Sequence, residues 1–323
     1  MLNFFPQPPP QPSGGTSSPP PPIWADLWDA DAAELAEAER RLGVTLPTRD
    51  RLSEIERSSR LQVRDGVLTM SVPMVAHLEA GGAQAAPVGF VLSRDRLVTL
   101  RYAPLQSFDA VAKRFDDPAA RPTCGLEVFV ELCDEITDRL ADDLEQVAAD
   151  LHGISTAIFH VPDSEGRAAI RSNREIRGRL RQVGRLGDRV SETRAALLGI
   201  GRAVDFACEL TTDWFGGGLE PRMRSLRQDV ASLSDYQVHL SDKIQFLLDA
   251  MVGLIGIAQN EVFKFLTIVS IVGIPPTLIA GIYGMNFKTM PEYDWSFGYP
   301  YGLAVIALSA ILPLVWFKWR GWF

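Results

Sequence analysis

Two uncharged apolar stretches near the C-terminus, Phe265 to Tyr283 and Trp295 to Phe317, constrain this chain more than any other feature. Each is about as long as the roughly 20 residues a helix needs to cross the hydrocarbon core of a bilayer. A short polar loop separates them, and it holds Lys288, Glu292 and Asp294. The arrangement predicts a membrane protein with two C-terminal spans. Residues 1–250 are soluble in character, which explains a near-zero mean hydropathy in a chain with two spans.

Composition and charge narrow the function. A net charge of −8 argues against nucleic acid as a partner. Cys124, Cys133 and Cys208 are too scattered for a disulfide frame or a CxxC metal site. His77, His152, His160 and His239 show no HExxH spacing, and no nucleotide-binding P-loop pattern is present. No enzyme and no organic cofactor are therefore expected. The first basic residue is Arg40, so neither a secretory signal nor a mitochondrial transit pattern is expected at the N-terminus. Lys318 and Arg320 flank the end of the second stretch, while the loop between the stretches has only Lys288 against two acids. The positive-inside rule then places both termini in the cytoplasm and the loop outside. Trp295 and Tyr299 at one end, and Trp316, Trp319 and Trp322 at the other, suit interfacial belts.

Six segments are expected along the chain. Residues 1–22 are Pro-rich and read as a disordered tail. Residues 23–118 alternate short strand and helix signals. Strands are expected at Ile23–Trp28, Arg60–Val63, Val67–Leu78, Pro87–Ser93 and Arg96–Tyr102, and helices at Asp31–Leu42, Arg49–Arg57 and Gln106–Phe115. Turns are expected at Asp65-Gly66 and Gly81-Gly82. This is an α+β domain with a mixed sheet. Residues 119–218 give an acidic helix followed by an Arg-rich one, expected as an antiparallel hairpin with complementary flanks. Residues 219–284 read as one stalk helix that continues into the first span, on the order of 80 Å long up to the span's prolines at ~1.5 Å per residue. Residues 285–294 form the external loop, and residues 295–323 the second span with its basic end.

Along the stalk, Asp235, Asp242 and Asp249 repeat every seven residues, and the same interval continues to Gly256, Phe263, Ser270 and Thr277. A companion stripe holds His239, Phe246, Gly253, Asn260, Thr267, Ile274 and Gly281. Seven-residue spacing keeps positions on one face of a gently supercoiled helix. Small and hydroxyl residues on a membrane helix also serve close helix packing. The alternative is a water-filled path, with the Asp residues lining its cytoplasmic approach. One such helix cannot enclose a path, so the second reading requires several identical chains. Pro275-Pro276 removes backbone donors within the span, and Thr277 is expected to help re-satisfy the freed carbonyls.

At the end of the first span stands Tyr283-Gly284-Met285-Asn286-Phe287. Gly284 offers backbone freedom at the helix end. Asn286 offers a neutral oxygen that can accept from the waters of a hydrated Mg²⁺, an ion that dehydrates reluctantly. By itself an Asn at a helix end reads as a C-cap. The surrounding run, Ile279-Ala280-Gly281-Ile282-Tyr283-Gly284-Met285-Asn286-Phe287 with Met290-Pro291-Glu292 and Trp295-Ser296-Phe297-Gly298-Tyr299-Pro300, closely resembles the loop region of the CorA family of magnesium and cobalt transport proteins.

That resemblance implies a homopentameric divalent-cation channel in a bacterial inner membrane, with Mg²⁺ as the transported and regulatory ion and Co²⁺ or Ni²⁺ as side substrates. Its partners would be copies of itself and membrane lipid. It implies ion selectivity at Gly284, Met285 and Asn286, with Asn286 acting on the metal through water. Leu266, Ile274, Thr277 and Gly281 would line the pore, with Leu266 placed by resemblance alone, and the stripe adds Asn260 and Ser270 to them. Asp249 matches an acidic ring on the cytoplasmic side, able to meet the metal, and the seven-residue stripe adds Asp235 and Asp242 as further rings. Lys288 stands where many members carry an acid, and Glu292 and Asp294 offset its charge at the outer mouth. The position expected for a sensor carboxylate falls near Ser225, which is not acidic. A zinc transporter of the related ZntB type and a membrane-anchored scaffold without transport are the alternatives.

Overall fold

This computed structural model describes residues 1–6, 22–54, 56, 60–77, 83–119, 121–159, 168–214, 218–285, 291 and 295–322. The chain divides into two compact units: residues 1–159 with 181–247, and residues 160–180 with 248–323.

The first unit is built on a mixed sheet. Its strands are β1 (Leu2–Phe5), β2 (Trp24–Trp28), β3 (Leu61–Arg64), β4 (Val67–Val72), β7 (Val88–Leu92) and β8 (Leu97–Arg101), in the order β1-β2-β8-β7-β4-β3. β2 pairs with β8 in parallel, Trp24 opposite Leu97, and the other pairings are antiparallel. β5 (Val75–His77) and β6 (Ala83–Ala85) form a separate two-stranded ribbon. The expected strand Val67–Leu78 is thus two strands, because Pro73 cannot donate to a ladder and breaks the run. The Asp65-Gly66 turn has φ values of 51° and 78°, the doubly positive geometry that suits a two-residue hairpin. The Gly81-Gly82 turn lies outside the described residues.

Both faces of the sheet are covered, and the two-residue alternation of the strands decides what each face meets. β7 and β8 are buried along their whole length, as central strands between two layers must be. On one face, Ala25, Leu27, Val91, Val98 and Leu100 pack with Ala38 and Leu42 of α1 (Ala32–Leu42) and Leu52 of α2 (Arg49–Leu52). Asp31 caps α1 through a capping box with Glu34, and Gly43 at φ 68° ends it. The expected helix Arg49–Arg57 stops at Leu52, with Arg57 outside the described residues. On the other face, Trp24 and Phe90 meet Phe108 of α3 (Gln106–Arg114), and Phe90 meets Phe129 of α4 (Gly125–Phe159) edge-on at 5.4 Å. Within that face Asp26 is buried but satisfied, accepting from Thr99 Oγ1 at 2.8 Å and Arg101 Nε at 3.0 Å. Burial pushes the Asp26 carboxyl above its usual range, against the pull of the Arg101 guanidinium.

The tail expected to be disordered over residues 1–22 is corrected at its start. Leu2–Phe5 pairs with β2 as an edge strand, Leu2 opposite Leu27. Its alternation supplies both layers: Phe4 packs on the α1 side and Phe5 stacks on Trp24 at 4.7 Å. A Pro-rich average over 22 residues hides a short apolar strand at its head.

Three long helices follow: α4, α5 (Ala168–Leu210) and α6 (Leu219–Tyr283). Their contacts fix directions. A Cβ on Gly201 would lie 3.3 Å from Val230 and one on Gly187 3.9 Å from Ile244, while Arg227 pairs with Asp205. As numbers fall along α5 they rise along α6, so these two run antiparallel. Arg222 pairs with Asp134 and Phe246 stacks on Phe159, so α6 runs parallel to α4. α4 and α5 are therefore antiparallel, with an Arg189–Asp143 ion pair between them. The acids of α4 also meet neighbours other than the Arg-rich helix. Glu131 and Glu135 pair with Arg114 of α3, and Glu131 and Asp134 with Arg222 of α6, so the acids at the start of α4 are tied to α3 and α6.

Two glycines mark where the bundle meets the sheet. A Cβ on Gly125 would stand 2.2 Å from the Arg96 backbone, and one on Gly199 2.5 Å from the Pro73 ring. Neither neighbour is a flexible side-chain end. Gly125→Ala and Gly199→Ala should each cost about 1–3 kcal/mol or more by overpacking. Denaturant unfolding of the purified protein measures this, and an Ala variant as stable as the parent would refute the packing described here.

Candidate functional site

In the second unit, the apolar part of α6 and the helix α7 (Gly298–Trp319) have the length and composition to span a bilayer. None of the apolar window of α6 is buried, and only 6% of that of α7. A core helix of a soluble protein would be buried, so these surfaces are made for another medium. Lys264, just before the first apolar stretch, sits 5.7 Å from the Trp322 ring, just after the second. That contact brings the start of one span level with the end of the other, which makes the spans an antiparallel pair. Lys264, Lys318 and Arg320 thereby share one end, and the Arg320 guanidinium lies 5.2 Å over Trp316. Phe317, with Trp316 and Trp322 beside it, is buried at the same end. Trp295 packs on Phe297 and Tyr301 at the other end.

One face of α6 carries an open trough from Val269 to Met285. Two rows spaced by four residues line it: Val269, Gly273, Thr277, Gly281 and Met285, and beside them Ser270, Ile274, Leu278 and Ile282. Four of the expected pore residues, Ser270, Ile274, Thr277 and Gly281, are therefore brought together on one strip. Asn260 and Leu266 are exposed on the same helix before the trough begins. Gly273 was missed by the seven-residue count. The signal for it was present as Gly273-x3-Thr277-x3-Gly281, small residues repeating every four. Val269 and Leu278 join the trough because a row of i+4 positions drifts around a helix of 3.6 residues per turn.

The trough is polar at its middle. Thr277 Oγ1 donates to the Gly273 carbonyl at 2.8 Å, so its lone pairs remain as acceptors at the surface. This corrects the role expected for Thr277. Pro275 and Pro276 strip donors from the carbonyls of Ile271 and Val272, and the Thr277 hydroxyl serves neither. The helix nonetheless continues through both prolines to Tyr283. Gly284 closes it with its N–H on Ala280 at 2.9 Å, and Met285 bonds to Ile282. Gly284 does not adopt a left-handed φ. A Cβ there would meet the Ala280 carbonyl at 3.3 Å, so tight approach rather than an unusual turn is what this glycine provides. Asn286, Lys288, Glu292 and Asp294 lie outside the described residues.

Nearer the start of α6, Asp235, Asp242 and Asp249 are all exposed, while Gln237, Leu240, Ile244, Leu247 and Met251 are buried on the other side. Seven residues apart is about 10 Å, roughly a Debye length, so repulsion within one chain is weak. Among the described residues no three His, Cys, Asp or Glu side chains gather to hold a metal. Ser225 is exposed on α6, 3.5 Å from Asp229 one turn on.

Comparison with known proteins agrees with this geometry. Residues 22–319 match the family model of the CorA-like Mg²⁺ transporter protein. The chain is 32% identical to the magnesium transport protein CorA of Salmonella typhimurium over 303 residues, 93% of this chain and 92% of that protein. It is 31% identical to that of Escherichia coli K12 over 302 residues, at the same coverage. Among solved structures, the CorA magnesium transporter from Methanocaldococcus jannaschii superposes with a TM-score of 0.72 at 17% identity, covering 93% of this chain and 91% of that one. The full-length CmaX protein gives 0.66 at 18%, covering 93% and 88%. These two show the fold alone. A matching model over nearly the whole chain and 32% identity across it are sufficient for assignment: the chain belongs to the family of CorA-like Mg²⁺ transporter proteins, which are transporters and not enzymes.

Proposed function

We propose that the chain assembles as a homopentamer in a bacterial inner membrane and lets Mg²⁺ enter the cell, with Co²⁺ and Ni²⁺ as side substrates. The observation that carries this reading is the trough: Ser270, Ile274, Thr277 and Gly281 share one exposed strip of a helix built for lipid. Two hydroxyls, Ser270 and Thr277, and two glycines, Gly273 and Gly281, have no use against acyl chains. Around a common axis, copies of the strip give stacked rings whose central members are small or polar.

Each ring has a chemical part in this proposal. Asn286 rings at the outer end accept hydrogen bonds from the waters of a hydrated ion without stripping them, which suits a cation that dehydrates slowly. Gly284 and Met285 set its backbone. Thr277, its own hydrogen spent on Gly273, presents oxygen lone pairs to those same waters. Ile274, with Leu266 further along, forms apolar constrictions that hold the path closed when dry. Asp235, Asp242 and Asp249 receive the ion on the cytoplasmic side, and Mg²⁺ bound within the cytoplasmic part regulates the flow. Lys288 opposes cation entry at the outer mouth, where Glu292 and Asp294 offset it. The shared basic end of the spans supports cytoplasmic termini. A membrane potential supplies about 4–5 kcal/mol per divalent ion at 100 mV.

Uptake of Mg²⁺ into liposomes reconstituted with the purified protein tests the selectivity ring. Asn286→Ala should abolish it while the assembly's mass stays that of five chains, and unchanged uptake would reject the ring. Gly281 faces open space in a single chain, with nothing within 4 Å of where a Cβ would stand. Gly281→Leu should therefore leave folding unchanged yet slow flux by about tenfold or more, an added barrier of roughly 1.4 kcal/mol. Normal flux through that variant would place Gly281 away from the axis. The cytoplasmic domain of ZntB from Vibrio parahaemolyticus shares the soluble fold, with a TM-score of 0.54 at 10% identity. Isotope uptake of Mg²⁺, Co²⁺, Ni²⁺ and Zn²⁺, with and without a pH gradient, separates the two transport readings. Mg²⁺ uptake indifferent to the gradient supports the channel, and Zn²⁺ uptake dependent on it supports the other.

A further inference from the structure

The outer hairpin of the sheet holds a feature that cation transport does not use. β3 and β4 present Gln62, Arg64 and Thr69 on one face, and with Arg51 of α2 and Arg60 they line a recess of about 300 Å³, walled by residues 43–47. Arginine dominates it. Arg51 donates to the Gln62 side-chain oxygen at 2.8 Å and Arg60 to the Glu54 carbonyl at 2.6 Å, both neutral acceptors. None of the ion pairs among the described residues involves Arg51, Arg60 or Arg64. The lining includes one acid, Asp65. Burial, with the nearby Arg202 guanidinium of α5 adding like-charge repulsion, pulls Arg60 below the usual guanidinium range. In a chain of net charge −8, three arginines around one open recess with a single acid concentrate positive charge where an anion can reach it.

We propose that this recess binds a small phosphate-bearing anion through Arg51, Arg60 and Arg64. Guanidinium forks match the oxygens of a phosphate in pairs, which an ammonium cannot do. Thr69 adds a hydroxyl from the floor. Orthophosphate and the phosphate end of a nucleotide share this chemistry, and a volume near the lower limit of ordinary small-molecule sites, ~300–1,000 Å³, admits either.

The test is calorimetric titration of the full chain in detergent, in phosphate-free and sulfate-free buffer with EDTA, using orthophosphate, pyrophosphate and ATP separately. Divalent ions are absent, so the result is independent of the transport reading. Saturable binding of at least one anion is expected. Arg51→Gln and Arg64→Gln should each weaken it by about tenfold or more, the scale of a charge-assisted pair. Arg64 is exposed on an edge strand, so its variant keeps the fold; an unchanged melting temperature verifies this. Arg224→Gln, which removes only the exposed Arg224–Glu220 pair, should bind as the parent does. Tight orthophosphate binding identifies an inorganic ligand, and binding of ATP with little orthophosphate binding identifies a nucleotide. No saturable heat from any of the three anions at millimolar concentration, or equal affinity in the parent and both recess variants, would overturn the proposal.

Discussion

A backbone that enters hydrocarbon must carry its own hydrogen bonds, because no water is there to share them. This constraint governs the C-terminal third of the chain. It requires helices where the sequence is apolar, and α6 meets it by continuing unbroken from the soluble bundle to Tyr283. The same requirement explains why Thr277 and Thr267 turn their hydroxyl hydrogens back onto carbonyls of their own helix. A side-chain donor left bare in lipid costs far more than one paired within its turn. What remains exposed is acceptor oxygen, and that is the chemistry a hydrated cation seeks.

The soluble part solves the opposite problem. It has charge in abundance and must spend little of it in burial. Asp26 and Arg101 are buried together and bonded to each other, with Thr99 completing the carboxylate's partners. Glu131, Asp134 and Glu135 tie α4 to α3 and to the start of α6. The first turns of α6 are thus held by ion pairs to the same helix that packs on the sheet. Around β3, by contrast, Arg51, Arg60 and Arg64 gather in one recess beside a single acid, Asp65.

Much of this was legible in the residues, in proportion to how local its cause is. The helix expected at Asp31–Leu42, the Asp65-Gly66 turn and the two apolar spans each follow from a local pattern of side chains, and the structure has all of them. Ser270, Ile274, Thr277 and Gly281 were found because helical periodicity is a property of one chain. Gly273 was missed since a seven-residue count passes over a four-residue row. The strand at Leu2–Phe5 was hidden because its pairing depends on Trp24–Trp28, across the intervening Pro-rich run. Not every partner of the acidic helix could be read either. Charge complementarity between neighbours in sequence favoured α5, but Arg222 reaches Asp134 from 88 residues away.

Chemical access to the trough tests the central claim most directly. Gly281→Cys and Ile279→Cys place one thiol in the trough and one on the opposite side of the same turn. Each would be exposed, in intact liposomes, to a water-soluble, membrane-impermeant thiol reagent, with the parent protein treated in parallel. If the trough faces a shared aqueous axis, Gly281→Cys reacts and its Mg²⁺ uptake is blocked, while Ile279→Cys is untouched and continues to transport. An unreactive Gly281→Cys, or modification there that leaves uptake intact, would contradict the account.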